Sequence, residues 1–257
     1  MSNVPTKVEV AGAVLRVTLN RPEKRNAIDD RMIAELRAAI EKASGEEDLR
    51  AVLITGEGQD FCAGMDLGVM AESKSANAGV LEFLESAERL AGLYRALRDH
   101  PKPVVAAVKG RALGGGCGLA MACDAVLAAE SALFGFPEVN IGFVPAIVMS
   151  LLRRSVGEKR AFDLLASGEP VHAREARDLG MITRVYPDSD FDASVAAYVA
   201  ALAAKSASAV TLTKKLFYSI DNMSFDAALD AGTKVNAIAR TTPDARRGFE
   251  QFGKRKR

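Results

Sequence analysis

An α/β fold with a parallel sheet, followed by a helical C-terminal third, is the architecture this sequence predicts. Three observations predict it. Short apolar or β-branched runs alternate with amphipathic, helix-length segments through the first half of the chain. A glycine cluster, Gly110-Arg111-Ala112-Leu113-Gly114-Gly115-Gly116-Cys117-Gly118-Leu119, stands between a strand-like run and a helix-like one. From Pro145 onward, helix-like segments follow one another. Strands separated by helices argue for βαβ units and a parallel sheet.

Residues 8–10 and 14–19 alternate as strands and are joined by a turn at Gly12. Asn20-Arg21-Pro22-Glu23-Lys24-Arg25-Asn26 is a polar loop. Asp29 or Asp30 caps a helix whose apolar residues Ile33, Leu36 and Ile40 recur at helical spacing. Residues 51–55 form a third strand, residues 56–68 a loop, and residues 80–97 a long amphipathic helix. Residues 103–108 and 125–128 are further strands, and residues 119–122 begin a helix. Residues 161–165 and 173–179 are helical, with Gly180 ending the second. Residues 182–186 return as a strand. Residues 191–217 and 225–239 are helices, with a short one near 243–252. The expected division is a core over 1–190 and a helical subdomain over 191–257 that serves oligomerisation. Its apolar stripe Val195, Val199 and Leu202 needs a partner to bury it.

Composition bounds the function. The chain has 257 residues, 49% hydrophobic and 26% charged, an ordinary globular balance that can bury a large core. The net charge of +1 predicts no general attraction to nucleic acid or to an acidic membrane. Cys62, Cys117 and Cys123 form no paired framework, so a reducing, cytoplasmic setting is expected. The first ten residues lack the pattern of a signal peptide, and no apolar run is long enough to span a bilayer. The basic tail, from Lys254 on, reads as a solvated terminus.

Several chemistries lack their parts. The two histidines, His100 and His172, stand outside any metal-ligand spacing, so no metal is expected. There is no G-x-S-x-G elbow for acyl chemistry by a serine triad. The glycine cluster is neither G-x-G-x-x-G nor a P-loop. What remains is backbone donors and carboxylates. Glycines between strand and helix let bare N–H groups approach a ligand. Downstream, Phe134-Gly135-Phe136-Pro137-Glu138-Val139 sets one carboxylate among apolar residues. Donors aimed at one oxygen stabilise an oxyanion, and a carboxylate beside the neighbouring carbon moves protons. Together they suit chemistry through the enolate of an activated carbonyl.

Across nearly the whole chain these segments resemble the enoyl-CoA hydratase/isomerase, or crotonase, superfamily. The resemblance runs through Asn20-Arg21-Pro22 and Asn26-Ala27, then Phe61-Cys62-Ala63-Gly64-Met65-Asp66-Leu67. It continues through Lys102-Pro103-Val104-Val105, the glycine cluster, Ala122-Cys123-Asp124 and residues 134–142. It implies a crotonase (ClpP-like) spiral of ββα units with a helical C-terminal subdomain, assembled as a homotrimer or a dimer of trimers. It implies enoyl-CoA thioester substrates of fatty acid metabolism, with coenzyme A as part of the substrate and no separate cofactor. By position, the N–H groups of Met65 and Gly115 would form the oxyanion hole, and Glu138 would be the acid–base residue. Lys24, Arg25, Ala27, Ala63, Gly64, Asp66 and Leu67 would border the coenzyme A portion. Gly114 and Gly118 would flank the acyl site. Phe252, with Lys254 or Arg255, would reach a neighbouring subunit's coenzyme A.

The departure from the family pattern is Gly118, where its best-known hydratases carry a first glutamate. Glycine there, with Pro145-Ala146 after the second motif, resembles a bacterial subgroup linked to methylglutaconyl-CoA hydration. The implied activity is addition of water across C2–C3. A lone glutamate also resembles the Δ3,Δ2-enoyl-CoA isomerases, and a thioester-binding protein with little catalysis is the third reading. Phe143, Met149 and Leu84 are candidates for the acyl wall.

Overall fold

The computed structural model describes residues 4–68 and 79–255. Strands β1 (Thr6–Ala11) and β2 (Val14–Leu19) form an antiparallel hairpin. From β2 the sheet continues in parallel through β3 (Ala51–Gly56), β4 (Val104–Val108), β6 (Ala125–Ala129) and β9 (Arg184–Tyr186). A second, small sheet pairs β5 (Arg111–Leu113) in parallel with β7 (Leu133–Gly135), and β7 antiparallel with β8 (Val171–His172).

Strands β4 and β6 are buried along their whole length, as parallel strands covered on both faces must be. Side chains alternate between the two faces. Val52, Ile54, Val104, Ala106, Val108 and Val126 enter the main core. That core is closed by helices α1 (Asp30–Gly45), α2 (Val80–Asp99) and α3 (Gly115–Ala122). The Asp29 carboxylate caps α1 by accepting from Met32 N at 2.8 Å. Ala51, Leu53, Val105, Ala107 and Leu127 face the other way, onto Phe191, Val195 and Val199 of a later helix. After β7 come α4 (Ala146–Ser155) and α5 (Glu158–Ser167), and after β8 comes α6 (Ala173–Asp178).

The C-terminal expectations need three corrections. The helix expected over 191–217 is two, α7 (Phe191–Ala203) and α8 (Ala207–Ser219). Ser206 breaks it because its hydroxyl accepts from Ala209 N and caps α8. The Val195–Val199 stripe packs on this chain's own sheet, so no partner subunit is needed to bury it. Packing therefore moves the boundary beyond residue 190: α7 seals the sheet, and α8 inserts the buried Lys214 into the core region. Among the α-helices, α9 (Phe225–Thr241) and α10 (Pro243–Arg255) are the two with no buried residue among those described. Helix α3 also begins earlier than expected, at Gly115 rather than Leu119. Among the described residues, no single helix is long and apolar enough to cross a membrane.

Candidate active site

The small sheet positions the site. Strands β5 and β7 run in parallel, with Leu113 opposite Gly135, so the segments that leave them emerge side by side. Gly114 follows β5 and donates its N–H to Gly135 O at 2.8 Å. Its φ of +50° is a conformation that favours glycine. The turn delivers Gly115 as the first residue of α3, where a helix leaves its N–H without an intrahelical partner. After β7, Pro137 opens a short 3-10 helix, Pro137–Ile141, and Glu138 occupies its first turn.

Glu138 and Gly114 are in contact. A β-carbon on Gly114 would stand 2.8 Å from the Glu138 Oε1. Only glycine admits the carboxylate this close to the backbone. Burial pushes the Glu138 carboxyl above its ordinary pKa, and a hydrogen bond from its own backbone N–H offsets this in part. Its Oε2 is buried and without a hydrogen-bond partner among the described residues. Such an oxygen is costly to leave unmet unless another group arrives to meet it.

The third component comes from the loop after β3. Residues 62–66 pair on both sides. Cys62 N donates to Arg111 O at 2.9 Å, and Leu113 N donates to Cys62 O at 3.0 Å. Ile28 N donates to Gly64 O at 2.7 Å, and Asp66 N donates to Ile28 O at 2.8 Å. This parallel bridge uses the groups that flank Met65 and leaves the Met65 N–H without a partner among the described residues. Gly64 brings the loop against α3, since a β-carbon on it would lie 3.6 Å from Gly115 N. The Met65 side chain also packs beside Gly115, since a β-carbon there would lie 3.5 Å from the Met65 Cγ.

Met65, Gly115 and Glu138 all line one cavity of about 450 Å³. Its apolar wall is Phe83, Leu90, Phe143, Ile147 and Val148. Of the expected wall residues, Phe143 lines it, whereas Leu84 and Met149 do not. Phe83, Ala87 and Leu90 were readable as one helical face, at spacings of four and three residues. Tyr94 continues that face, buried just behind the cavity, and its hydroxyl donates to Gly115 O at 2.6 Å.

The other expected residues fall into three groups. Asp66 lines the cavity, but its carboxylate is engaged by Arg21 at 2.7 Å, Lys24 at 3.0 Å and Gly68 N at 3.1 Å. Those partners outweigh its burial and hold its pKa at about 2, so it is a fixed anion. Lys24, Arg25, Ala27, Ala63, Gly64 and Leu67 lie on the two paired loops beside the cavity rather than in its wall. Arg25 and Leu67 are exposed there, and Ala27 and Gly64 are buried beneath. Gly118 is not in the wall, which corrects the expectation that it flanks the acyl site. Its α-carbon faces Val148 and Tyr94. Phe252 sits on the exposed face of α10, away from the cavity, and the Arg255 side chain is outside the described residues.

The arrangement holds two backbone donors and one destabilised carboxylate at an apolar chamber. It can polarise a carbonyl oxygen and transfer a proton beside it. Among the described residues no cluster of side chains is suited to a metal.

Comparison with known proteins follows the same lines. The enoyl-CoA hydratase/isomerase family profile matches residues 9–257. A Thermus thermophilus protein named for enoyl-CoA hydratase is 37% identical over 241 residues, 94% of each chain. The 2,3-dehydroadipyl-CoA hydratase of Escherichia coli is 34% identical over 93% of this chain and 91% of its own. The crystal structure of an enoyl-CoA hydratase from Mycobacterium smegmatis superposes with a TM-score of 0.92 at 30% identity, covering 98% of this chain and 96% of that one.

Proposed function

Because the chain belongs to the enoyl-CoA hydratase/isomerase family, we propose that its cavity adds water across C2–C3 of an enoyl-CoA thioester, using Met65, Gly115 and Glu138. It is an enzyme of the hydratase kind, with relatives of that name aligned over most of its length. The observation that carries the residue assignment is the buried, unpartnered Oε2 of Glu138 at the cavity beside the Gly114–Gly115 turn.

In the proposed reaction the thioester oxygen accepts from the Met65 and Gly115 N–H groups. Each such donor is worth roughly 3 kcal/mol in a transition state. The Glu138 carboxylate takes a proton from water as the water oxygen bonds to C3. The C2–C3 π electrons move to the thioester, and the enolate oxygen rests on the two donors. Glu138, now protonated, gives the proton to C2. The sum is one water added, with both new bonds on the face that Glu138 occupies. A raised carboxyl pKa suits a group that must accept and then release a proton.

The remaining acids of the wall are less suited. Arg21 holds Asp29 and Asp66, Arg89 holds Asp30 through two hydrogen bonds of 3.1 and 2.9 Å, and Glu82 is exposed in the first turn of α2. A single mobile proton also fits the isomerase reading, in which Glu138 moves a proton from C2 to C4. Absorbance separates the two. Crotonyl-CoA loses its enoyl band on hydration, and a 3-enoyl-CoA gains it on isomerisation. Loss of the crotonyl-CoA band with the wild-type protein, absent in Glu138→Gln, supports the proposal. Gain with 3-enoyl-CoA alone replaces hydration by isomerisation.

The proposed assembly is a homotrimer or a dimer of trimers. Helices α9 and α10 support it by presenting Phe225, Leu229, Ile238 and Phe249 on surfaces that the described residues leave more than half exposed.

A further inference from the structure

We propose that Tyr94 is a positioning residue for hydration, fixing the oxyanion donor Gly115 from the space beside Gly118. The inference rests on the assignment of Met65, Gly115 and Glu138 given above.

Two contacts carry it. The Tyr94 hydroxyl donates to Gly115 O at 2.6 Å from a fully packed position in α2. The same hydroxyl fills the space beside Gly118, one turn further along α3. A β-carbon there would meet Tyr94 Oη at 2.6 Å and Val148 Cγ1 at 2.5 Å. One oxygen therefore both anchors residue 115 and blocks position 118.

The anchor matters because Gly115 has no side chain to hold it. A peptide group is planar, so holding the Gly115 carbonyl fixes the 115–116 peptide and limits rotation about the Gly115 Cα–C bond, which steadies the residue whose own N–H is the donor. Leu90, one turn earlier in α2, packs on the same glycine and defines the other side of its seat. Burial keeps the Tyr94 phenol far above its ordinary pKa, so it is a donor at every working pH and does not compete with Glu138 as a base. The role is to direct a donor, without touching the reacting atoms.

The test is Tyr94→Phe, which keeps the ring and removes only the hydroxyl. Removing an oxyanion donor outright costs about 10²–10³ in kcat, and a donor left in place but misdirected should cost about tenfold. KM for crotonyl-CoA should change less than about twofold, because the rest of the thioester is bound elsewhere. A second readout needs no turnover. An aryl-enoyl-CoA absorbs further to the red when its carbonyl is polarised, and the shift on binding should shrink in Tyr94→Phe. An unchanged kcat or an unchanged red shift overturns the proposal. A fall in kcat that follows lost thermal stability, with the red shift intact, also overturns it, because that pattern marks a purely structural residue. If the wild-type protein does not hydrate crotonyl-CoA, the functional reading fails instead, and the red shift still reports on Tyr94 independently.

Discussion

Lys214 Nζ lies 2.7 Å from Asp124 Oδ2, joining α8 to the turn between α3 and β6. Lys214 also donates to Leu97 O and Lys102 O, and Tyr218 donates to Asp124 Oδ1 at 2.8 Å. Burial pulls the lysine pKa down and Asp124 restores part of it. Breaking a buried pair on one side leaves the other charge stranded. Lys214→Met should therefore lower unfolding stability by about 3 kcal/mol. Denaturant titration at one protein concentration measures it, and a loss under about 1 kcal/mol would show that Asp124 is satisfied by Tyr218 and Val104 N alone.

Glu138→Gln should reduce kcat for hydration by about 10²–10⁴. Thioester affinity should hold, since the proposed carbonyl contacts are backbone groups. Calorimetric titration with a saturated acyl-CoA checks affinity separately from turnover. Retention of more than a tenth of wild-type activity would move the chemistry to another residue.

The raised Glu138 pKa fixes two pH effects of opposite kind. Activity needs the carboxylate, so kcat/KM should fall on the acid side with a midpoint above the ordinary glutamate range. Stability runs the other way. Between the unfolded pKa and the raised folded pKa, the native state binds more protons, so stability declines as pH rises. Glu138→Gln should thus raise Tm at pH 7, and the gain should vanish below the ordinary carboxylate range. A variant less stable than wild type at pH 7 would sink this account.

Gly118→Glu should lower activity on every thioester rather than restore a two-carboxylate site. The β-carbon alone overlaps Val148 and Tyr94, and overpacking of this kind costs about 1–3 kcal/mol. Gly118→Ala should show that cost without any new charge. Comparing kcat/KM for short, branched and 3-enoyl thioesters decides it, and a tenfold gain on crotonyl-CoA would overturn the expectation.

The proposed oligomer predicts a mass of three or six chains in light scattering at micromolar concentration. Phe225 and Phe249 are 78% and 65% exposed in the single chain, a costly state for side chains of that size. A stable monomer would refute the assembly.

Much of this site was legible before any coordinates. The glycine cluster and Phe134–Glu138 stood out as two segments that could serve one site, and both reach the same cavity, whereas Met65 was found only through the family resemblance. The main sheet was equally plain, since β3, β4 and β6 are apolar runs bounded by polar turns. Less legible were β5 and β7, three residues each, too short to show a period, the first set between glycines and the second ending in one. Those two strands bring the Gly114–Gly115 turn beside Glu138. The break between α7 and α8 was hidden because alanine-rich sequence continues across it and one serine cap decides the matter. Tyr94 was invisible as a site residue, because a tyrosine on the buried stripe of a helix is ordinary core until its hydroxyl is seen on Gly115.

The bridge between Ile28 and Met65 has a kinetic consequence. Donors and acid come from three stretches of chain, near residues 65, 115 and 138, and a fourth near residue 28 pairs with the first, so the site is held by pairings that span long loops. Contacts so distant in sequence close late and slowly, after local helices have formed. A refolding chain should regain its helical signal well before it regains turnover, so enzymatic activity is a clock for the last loops to close.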